Sequence, residues 1–272
     1  MSDKILKSSL STLLKRFSNT DLISSLDDEF SSSSGKINIS LVDDNSVLKK
    51  ARINENKLDK TISLIKEKGI TSPILVVSKK DRYEVLYPRI VYIAARKLGY
   101  EFIPCSVIDI EEEDSLVFLA SQIRDSKGGN IVELSLLLNK LQKKYKYKQY
   151  EIAEMMEQSR SQITNIMRLI KMPEWILTDV SNDKLSFGHA RALQTLSETE
   201  LEEIVPLIYL NDLSVREVEK LIYAKRNSNK INNQEERINR KYNCRTSLNP
   251  RSINLSFENE EDYQKFIKKI LK

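Results

Sequence analysis

The sequence predicts an α+β chain built in parts: a small α/β domain over residues 36–125, an all-helical domain over 126–225 and a small β-α unit over 241–272. Three observations predict it. Between 36 and 125, short apolar runs alternate with amphipathic stretches that stop at glycines. From 126 to 225 the apolar residues recur at helical spacing. The last segment offers one strand and one helix, too little to bury a core alone, so it needs a partner, and a second copy is the simplest one.

In order along the chain, residues 1–35 read as a tail. Ile5, Leu6, Leu10, Leu13, Leu14 and Phe17 fall on one side of a helix, with Lys4, Lys7, Lys15 and Arg16 among them. Asp27-Asp28-Glu29 and Ser31–Ser34 with Gly35 follow as a flexible linker, which favours a peptide that folds on a partner over one that docks on its own protein. The stretch is too short and too poor in basic residues for membrane attachment. Ile37–Leu41 alternates like a strand. Leu58–Lys68 is a helix ended by Gly69, and Pro73–Val77 and Tyr83–Tyr87 are hairpin strands across Lys79-Lys80-Asp81. Val91–Leu98 is a helix ended by Gly99, and Phe102–Ile108 is another strand. Ile131–Lys140 is amphipathic. Residues 226–240 are polar and poor in large apolar groups, hence a linker. In the last segment Ile253–Phe257 alternates, and Tyr263, Phe266, Ile267 and Ile270 share a helix face; with Leu255 and Phe257 they make the expected dimerisation surface.

The stretch from Lys148 to Pro173 reads as a helix-turn-helix. Ile152, Ala153 and Met156 form the apolar face of a first helix, and Glu157-Gln158 is the turn. Ser159 and Gln162 form a capping box at the start of the second helix, whose buried stripe is Ile163, Ile166, Met167 and Ile170. Pro173 stops it. Arg160, Ser161, Gln162, Thr164, Asn165 and Arg168 are left on the outer face, and Arg, Asn and Gln are the side chains that pair with base edges. Lys140, Lys143, Lys144, Lys146 and Lys148 gather just ahead; Lys144 and Lys146 are candidates for phosphate contact. The single histidine, His189, either caps or packs a helix or touches DNA, beside the small residues Gly188 and Ala190 and the basic Arg191.

Composition bounds the alternatives. The 272 residues carry a net charge of +5 and a pI near 8.9, compatible with a nucleic-acid partner. Cys105 and Cys244 give no disulfide framework, which points to a reducing cytoplasm. One histidine leaves a His/Cys metal centre and a Ser-His-Asp triad without support. No run approaches a membrane span, and the N-terminus lacks the apolar core of a signal peptide.

The pieces SRSQITNIMRLIKMPEWI, KLSFGHARAL and LSVREVEKLI, supported by KEKGITSPILVV and YEVLYPRIVYIAARKLGY, resemble the ParB family of chromosome- and plasmid-partition proteins in order and approximate spacing. The resemblance implies a ParB-like N-terminal α/β domain, a helical DNA-binding domain and a C-terminal dimerisation domain. It implies binding of double-stranded DNA at a palindromic centromere-like site near a replication origin, on the nucleoid. A ParA-like ATPase would be one partner, reached through Lys4 and Lys7 of the tail, and SMC/condensin another. The tail departs from the family's Arg and Gly, and lysine loses the planar fork. Arg160 and Gly188 side with partition against the nucleoid-occlusion (Noc) relatives; Lys171 is the Noc-like choice, and Ile166 decides nothing. Glu157 stands where the family carries a turn glycine of positive φ, at a cost of about 1 kcal/mol. A generic transcription regulator with a ligand domain is the competing reading.

The resemblance also implies CTP with Mg²⁺, bound and cleaved in the N-terminal domain. Pro88-Arg89-Ile90-Val91 stands where the family carries Gly-Glu-Arg-Arg, and Ala120-Ser121-Gln122-Ile123-Arg124 where it carries Glu-Asn-x-Gln-Arg. The metal-side carboxylates are lost. Arg89 and Arg124 remain to hold a phosphate, and no CTP hydrolysis and no cofactor are expected.

Overall fold

The computed structural model describes residues 33–249 and 252–271, so the tail peptide with Lys4 and Lys7 lies outside the described residues. The chain divides into one unit that ends at Glu198 and another that begins at Thr199.

The first unit opens on β1 (Ser33–Asn38), β2 (Val42–Asp43), α1 (Glu55–Lys68), β3 (Ile74–Lys79), β4 (Arg82–Tyr87), α2 (Arg89–Lys97) and β5 (Phe102–Ile108). The five strands form a mixed sheet in the order β1-β5-β3-β4-β2. β3 and β4 are an antiparallel hairpin turned at Lys80, whose φ is 55°. β5 runs parallel to β3, and β1 closes the edge antiparallel to β5. Ser33, Ser34 and Gly35, expected in the flexible linker, are the first residues of that edge strand, opposite Val107, Ser106 and Cys105. Backbone pairing places no demand on side-chain polarity, so a serine run at an edge gives no apolar signal. The expected strand also stops early: Asn38 Oδ1 accepts the Ser40 N–H at 2.9 Å and tightens Ile39–Leu41 into a 3₁₀ turn.

One face of the sheet buries Ile74, Val76, Val85 and Ile103 with Tyr92 of α2, whose hydroxyl donates to the Val42 carbonyl at 2.7 Å. On the other face Leu86 and Ile108 join α3 (Glu112–Asp125) and α4 (Ile131–Tyr145). That second core does not end at residue 125. It runs through Leu119, Leu137 and Leu141 to Ile152, Met156, Ile163 and Met167, so the expected α/β and helical domains share one interior. The junction is the turn at Gly128 and Gly129. A Cβ on Gly129 would lie 2.0 Å from the Ile123 carbonyl oxygen, so the turn needs glycine there.

The second unit holds α9 (Glu198–Asn211), α10 (Val215–Tyr242), the hairpin β6 (Cys244–Asn249) and β7 (Ser252–Phe257), and α11 (Glu260–Ile270). A Lys225–Glu203 ion pair ties α10 to α9. Residues 226–240, expected as a linker, are the second half of α10. The segment has no glycine or proline; its seven Arg, Glu, Gln and Lys residues, straight-chain side chains that lose little freedom in a helix, outnumber its five Asn and one Ser, and Glu236 pairs with Arg240 one turn on at 3.3 Å. Polarity all round gives the segment the pattern of a connection. The break between units therefore falls at 198/199, ahead of α9, and not in 226–240. Beyond Asn243, Cys244 is the only buried residue among those described. Phe257, Tyr263, Phe266 and Tyr242 make edge-on or tilted ring contacts with centroids 5.0–5.7 Å apart, and Tyr263 and Ile270 stay exposed.

Candidate nucleic-acid interface

The helix-turn-helix is α5 (Gln149–Met155) followed by α6 (Arg160–Arg168). Glu151 Oε2 accepts the Lys148 N–H at 2.8 Å and fixes the start of α5. Its end folds back through Glu157 N–H to the Glu154 carbonyl and Gln158 N–H to the Ala153 carbonyl. This geometry puts Glu157 at φ 50°, the left-handed position that favours glycine. Ser159 Oγ accepts the Gln162 N–H at 3.1 Å, which is the Ser159 half of the expected capping box.

Ile163, Ile166 and Met167 face inward as the 3.6 period requires. Ile170 does not complete the stripe. After Arg168 the chain tightens to a 3₁₀ turn over Leu169–Lys171, the phase shifts, and Leu169 takes the buried place. Pro173 lies beyond this end and opens the next helix, α7 (Glu174–Ser181). α6 is held from three directions. Thr164 Oγ1 lies 3.0 Å from Gln149 Oε1 and 2.8 Å from the Arg160 carbonyl. Asn139 of α4 donates from Nδ2 to the Met167 carbonyl at 2.8 Å. Gln194, just past α8 (Phe187–Leu193), donates from Nε2 to the Asn165 carbonyl at 2.9 Å. Asn139 and Gln194 position α6, and no sequence period marks either one.

With these supports in place, Arg160, Ser161, Gln162 and Arg168 are exposed, as are Lys171 and Arg191. Thr164 and Asn165 are half-buried. Lys146 is exposed and ends α4 with φ 63°. Lys144 is not a free cation: it pairs with Glu112 at the start of α3, where Lys140 Nζ also sits, 2.5 Å from Oε1, and the Tyr145 hydroxyl donates at 3.1 Å. His189 closes a box on Ser186. Its N–H donates to Ser186 Oγ at 3.2 Å, and the Ser186 N–H donates to Nδ1 at 3.4 Å. The other ring nitrogen, Nε2, is buried without a partner among the described residues. The ring caps its helix, with the half-buried Gly188 beside it.

The Glu112 clamp has a pH signature. Hydrogen bonds from Lys140 and Lys144 hold its carboxyl down to about 2, below its ordinary 4.5. A lowered carboxyl stabilises the fold above its unfolded value and ceases to as pH falls from 4.5 toward 2. Circular-dichroism melts are expected to show wild type above Glu112→Gln at pH 6, with the gap narrowing steadily below pH 4.5. A gap that stayed constant down to pH 3 would rule the clamp out.

The two arginines considered for phosphate are elsewhere engaged. Arg89 is 8% exposed. Its Nε and Nη2 grip Asp44 at 2.8 and 2.9 Å, and its Nη1 donates to Glu133 at 2.7 Å and to the Ala51 carbonyl at 3.2 Å. Arg124 lies against Asp125 at 2.6 and 2.9 Å, with Nη1 buried and unpartnered among the described residues.

Residues 25–121 match the ParB N-terminal domain family and residues 129–227 the ParB HTH domain family. A probable chromosome-partitioning protein ParB of Campylobacter jejuni is 27% identical over 270 residues, covering 93% of this chain and 96% of that one. Its counterpart in Coxiella burnetii is 28% identical over 187 residues, covering 69% of this chain and 64% of its own length. Among solved structures, a C-terminally truncated ParB of Caulobacter crescentus complexed to the centromeric parS site is 24% identical, covers 69% of this chain and 97% of that one, and superposes with a TM-score of 0.40. The same protein complexed with CTP-gamma-S is 25% identical, covers 63% and 97%, and has a TM-score of 0.32.

Proposed function

Because the chain belongs to the ParB family, whose members bind DNA in a sequence-specific way, we propose that it reads a palindromic, centromere-like site near a replication origin as a homodimer and serves chromosome or plasmid segregation. The observation that carries this is the first turn of α6, where Arg160, Ser161 and Gln162 stand exposed on a helix fixed from three sides. A recognition helix presents its N-terminal residues to base edges in the major groove. The basic residues around it, Lys146, Arg168, Lys171 and Arg191, supply phosphate contacts. A ParA-like ATPase acting on the N-terminal tail and SMC/condensin are the partners in this reading, and the nucleoid is its place. No helix among the described residues is long and apolar enough to cross a membrane.

The two kinds of contact separate experimentally. Arg160→Ala is expected to lose about 1–3 kcal/mol on the cognate palindrome and to relax preference at the base it reads. Lys146→Ala is expected to weaken all duplexes alike and to shallow the salt dependence by about one unit. Lys144→Ala has the smaller effect, since that ammonium already pairs with Glu112. Fluorescence anisotropy on specific and scrambled duplexes across a salt series reads both; an Arg160→Ala protein with unchanged affinity and preference would mean that another surface reads the bases.

In this reading the chain does not hydrolyse CTP. The support is chemical: Arg89 is saturated by two carboxylates and a carbonyl, and no family carboxylate stands beside it for Mg²⁺. DNA-bound copies then cluster by bridging rather than as a nucleotide-gated clamp.

A further inference from the structure

The last turn of α6 takes hydrogen-bond donors from outside the helix. Past Arg168 the backbone tightens, and the Leu169 N–H donates to the Ile166 carbonyl, three residues back. A regular α-helix would send that N–H to Asn165, four back. The Asn165 carbonyl takes the Gln194 amide instead, with Nε2 at 2.9 Å. Two residues on, the Met167 carbonyl takes Asn139 Nδ2 at 2.8 Å. Carbonyls at the end of a helix need such partners.

The two donors are anchored in different places. Asn139 belongs to α4, whose Leu137, Leu138 and Leu141 are fully buried. Gln194 follows α8, which is pinned by the fully buried Ala190 and Leu193 and by the Ser186–His189 box at its start. α8 also carries the exposed Arg191. Gln194 therefore ties the turn that presents Asn165 to a second helix with an outward basic side chain.

Apolar packing alone does not fix the roll of a helix about its axis. Ile163, Ile166 and Met167 face inward, but burial is non-directional. A hydrogen bond is directional. A roll of about 10° moves a side-chain tip ~6 Å from the axis by about 1 Å. That is enough to spoil a two-point pairing with a base edge. We propose that Gln194 is a specificity-determining positioning residue: its amide fixes the roll of α6, and with it the aim of Arg160, Ser161 and Gln162, without touching a base itself. This rests on the reading of α6 as the recognition helix.

The test uses the full chain and two duplexes of equal length: the one that wild type enriches from a randomised pool, and a scrambled version of it. Gln194→Met keeps the length of the side chain and removes the donor. It is expected to cut the ratio of the two dissociation constants about tenfold, the loss that follows when a half-buried carbonyl goes unpaired, while affinity for the scrambled duplex holds within about twofold. In an Arg160→Ala background the same substitution should cost about threefold or less, because the aim of a missing arginine no longer matters. Gln194→Glu, ionised at neutral pH and unable to donate, serves if the methionine variant melts early by circular dichroism. A ratio left unchanged by both variants overturns the inference. So does a full tenfold loss that persists without Arg160, since Gln194 would then act on its own. Equal weakening on both duplexes marks a role in stability alone and overturns it as well. If Arg160→Ala itself leaves the ratio unchanged, or the pool yields no preferred duplex, the recognition-helix reading fails and this inference with it.

Discussion

Arg89→Met is expected to lower the unfolding free energy by about 3–5 kcal/mol, the cost of removing one partner from a buried ion cluster. The guanidinium holds Asp44, which follows β2, and Glu133, in the first turn of α4, while also capping the Ala51 carbonyl. Methionine fills much of the volume but leaves two carboxylates facing each other in a poorly hydrated site. Burial already raises the Glu133 carboxyl above its ordinary 4.5 even with Arg89 beside it. A raised carboxyl favours the fold below its unfolded value, and that contribution is lost as pH rises through the folded value. Without Arg89 the Glu133 carboxyl shifts further upward, so the deficit is expected to shrink on acidification as it takes up a proton. Urea denaturation at pH 7 and pH 5 reads both effects, and Arg89→Met with Glu133→Leu should recover part of the loss. A deficit below about 1 kcal/mol at pH 7 would show that the cluster is solvated and worth no more than a surface pair.

A chain ending at Arg240 is expected to sediment as a monomer and to bind a two-half-site palindrome about 10²–10⁴-fold more weakly than the full chain, the range over which linking two readers raises avidity. The segment it removes has exposed apolar groups that one copy does not cover: Ile253 is 63% exposed, Tyr263 42% and Ile270 61%. Leu255, Phe257, Phe266 and Ile267 beside them are only half-buried. β7 and α11 thus present a half-finished core, the form that an isologous interface completes. Affinity for a single half-site should be almost unchanged, since α6 and its supports are untouched. Sedimentation velocity and anisotropy on one-site and two-site duplexes are the measurements; a truncated chain that remained dimeric would place the interface elsewhere.

Much of the helix-turn-helix was legible because its signals are local. A serine N-cap, three inward residues at helical spacing and a polar outer face identify α6 within ten positions. The helix α3 was not legible. Leu116 to Ser121 and Ile123 are all buried, so no amphipathic period marks it, and it holds the residues that align with the family's second nucleotide pattern. Arg89 misled for another reason. Beside a missing glycine and glutamate it reads as a stranded phosphate ligand, and only the fold brings up Asp44 and Glu133 from 45 and 44 residues away. Lys144 repeats the lesson: its carboxylate lies 32 residues upstream. Residues 226–240 err the other way: a polar, asparagine-rich run has the composition of a connection, yet nothing in it breaks a helix and it continues one that starts at Val215.

The interior that runs unbroken from Leu86 and Ile108 to Ile163 and Met167 has a consequence for how DNA is met. A recognition helix of nine residues is too short to hold its shape alone in water. Here its inward residues belong to the same interior as the sheet, and the hydrogen-bonded amides of its second half are expected to exchange more slowly than those of an isolated helix. The entropy of fixing Arg160 to Arg168 on a helix is then settled during folding. In the proposed reading a half-site meets a helix already formed, and discrimination against a mismatched base is expected without refolding of that helix.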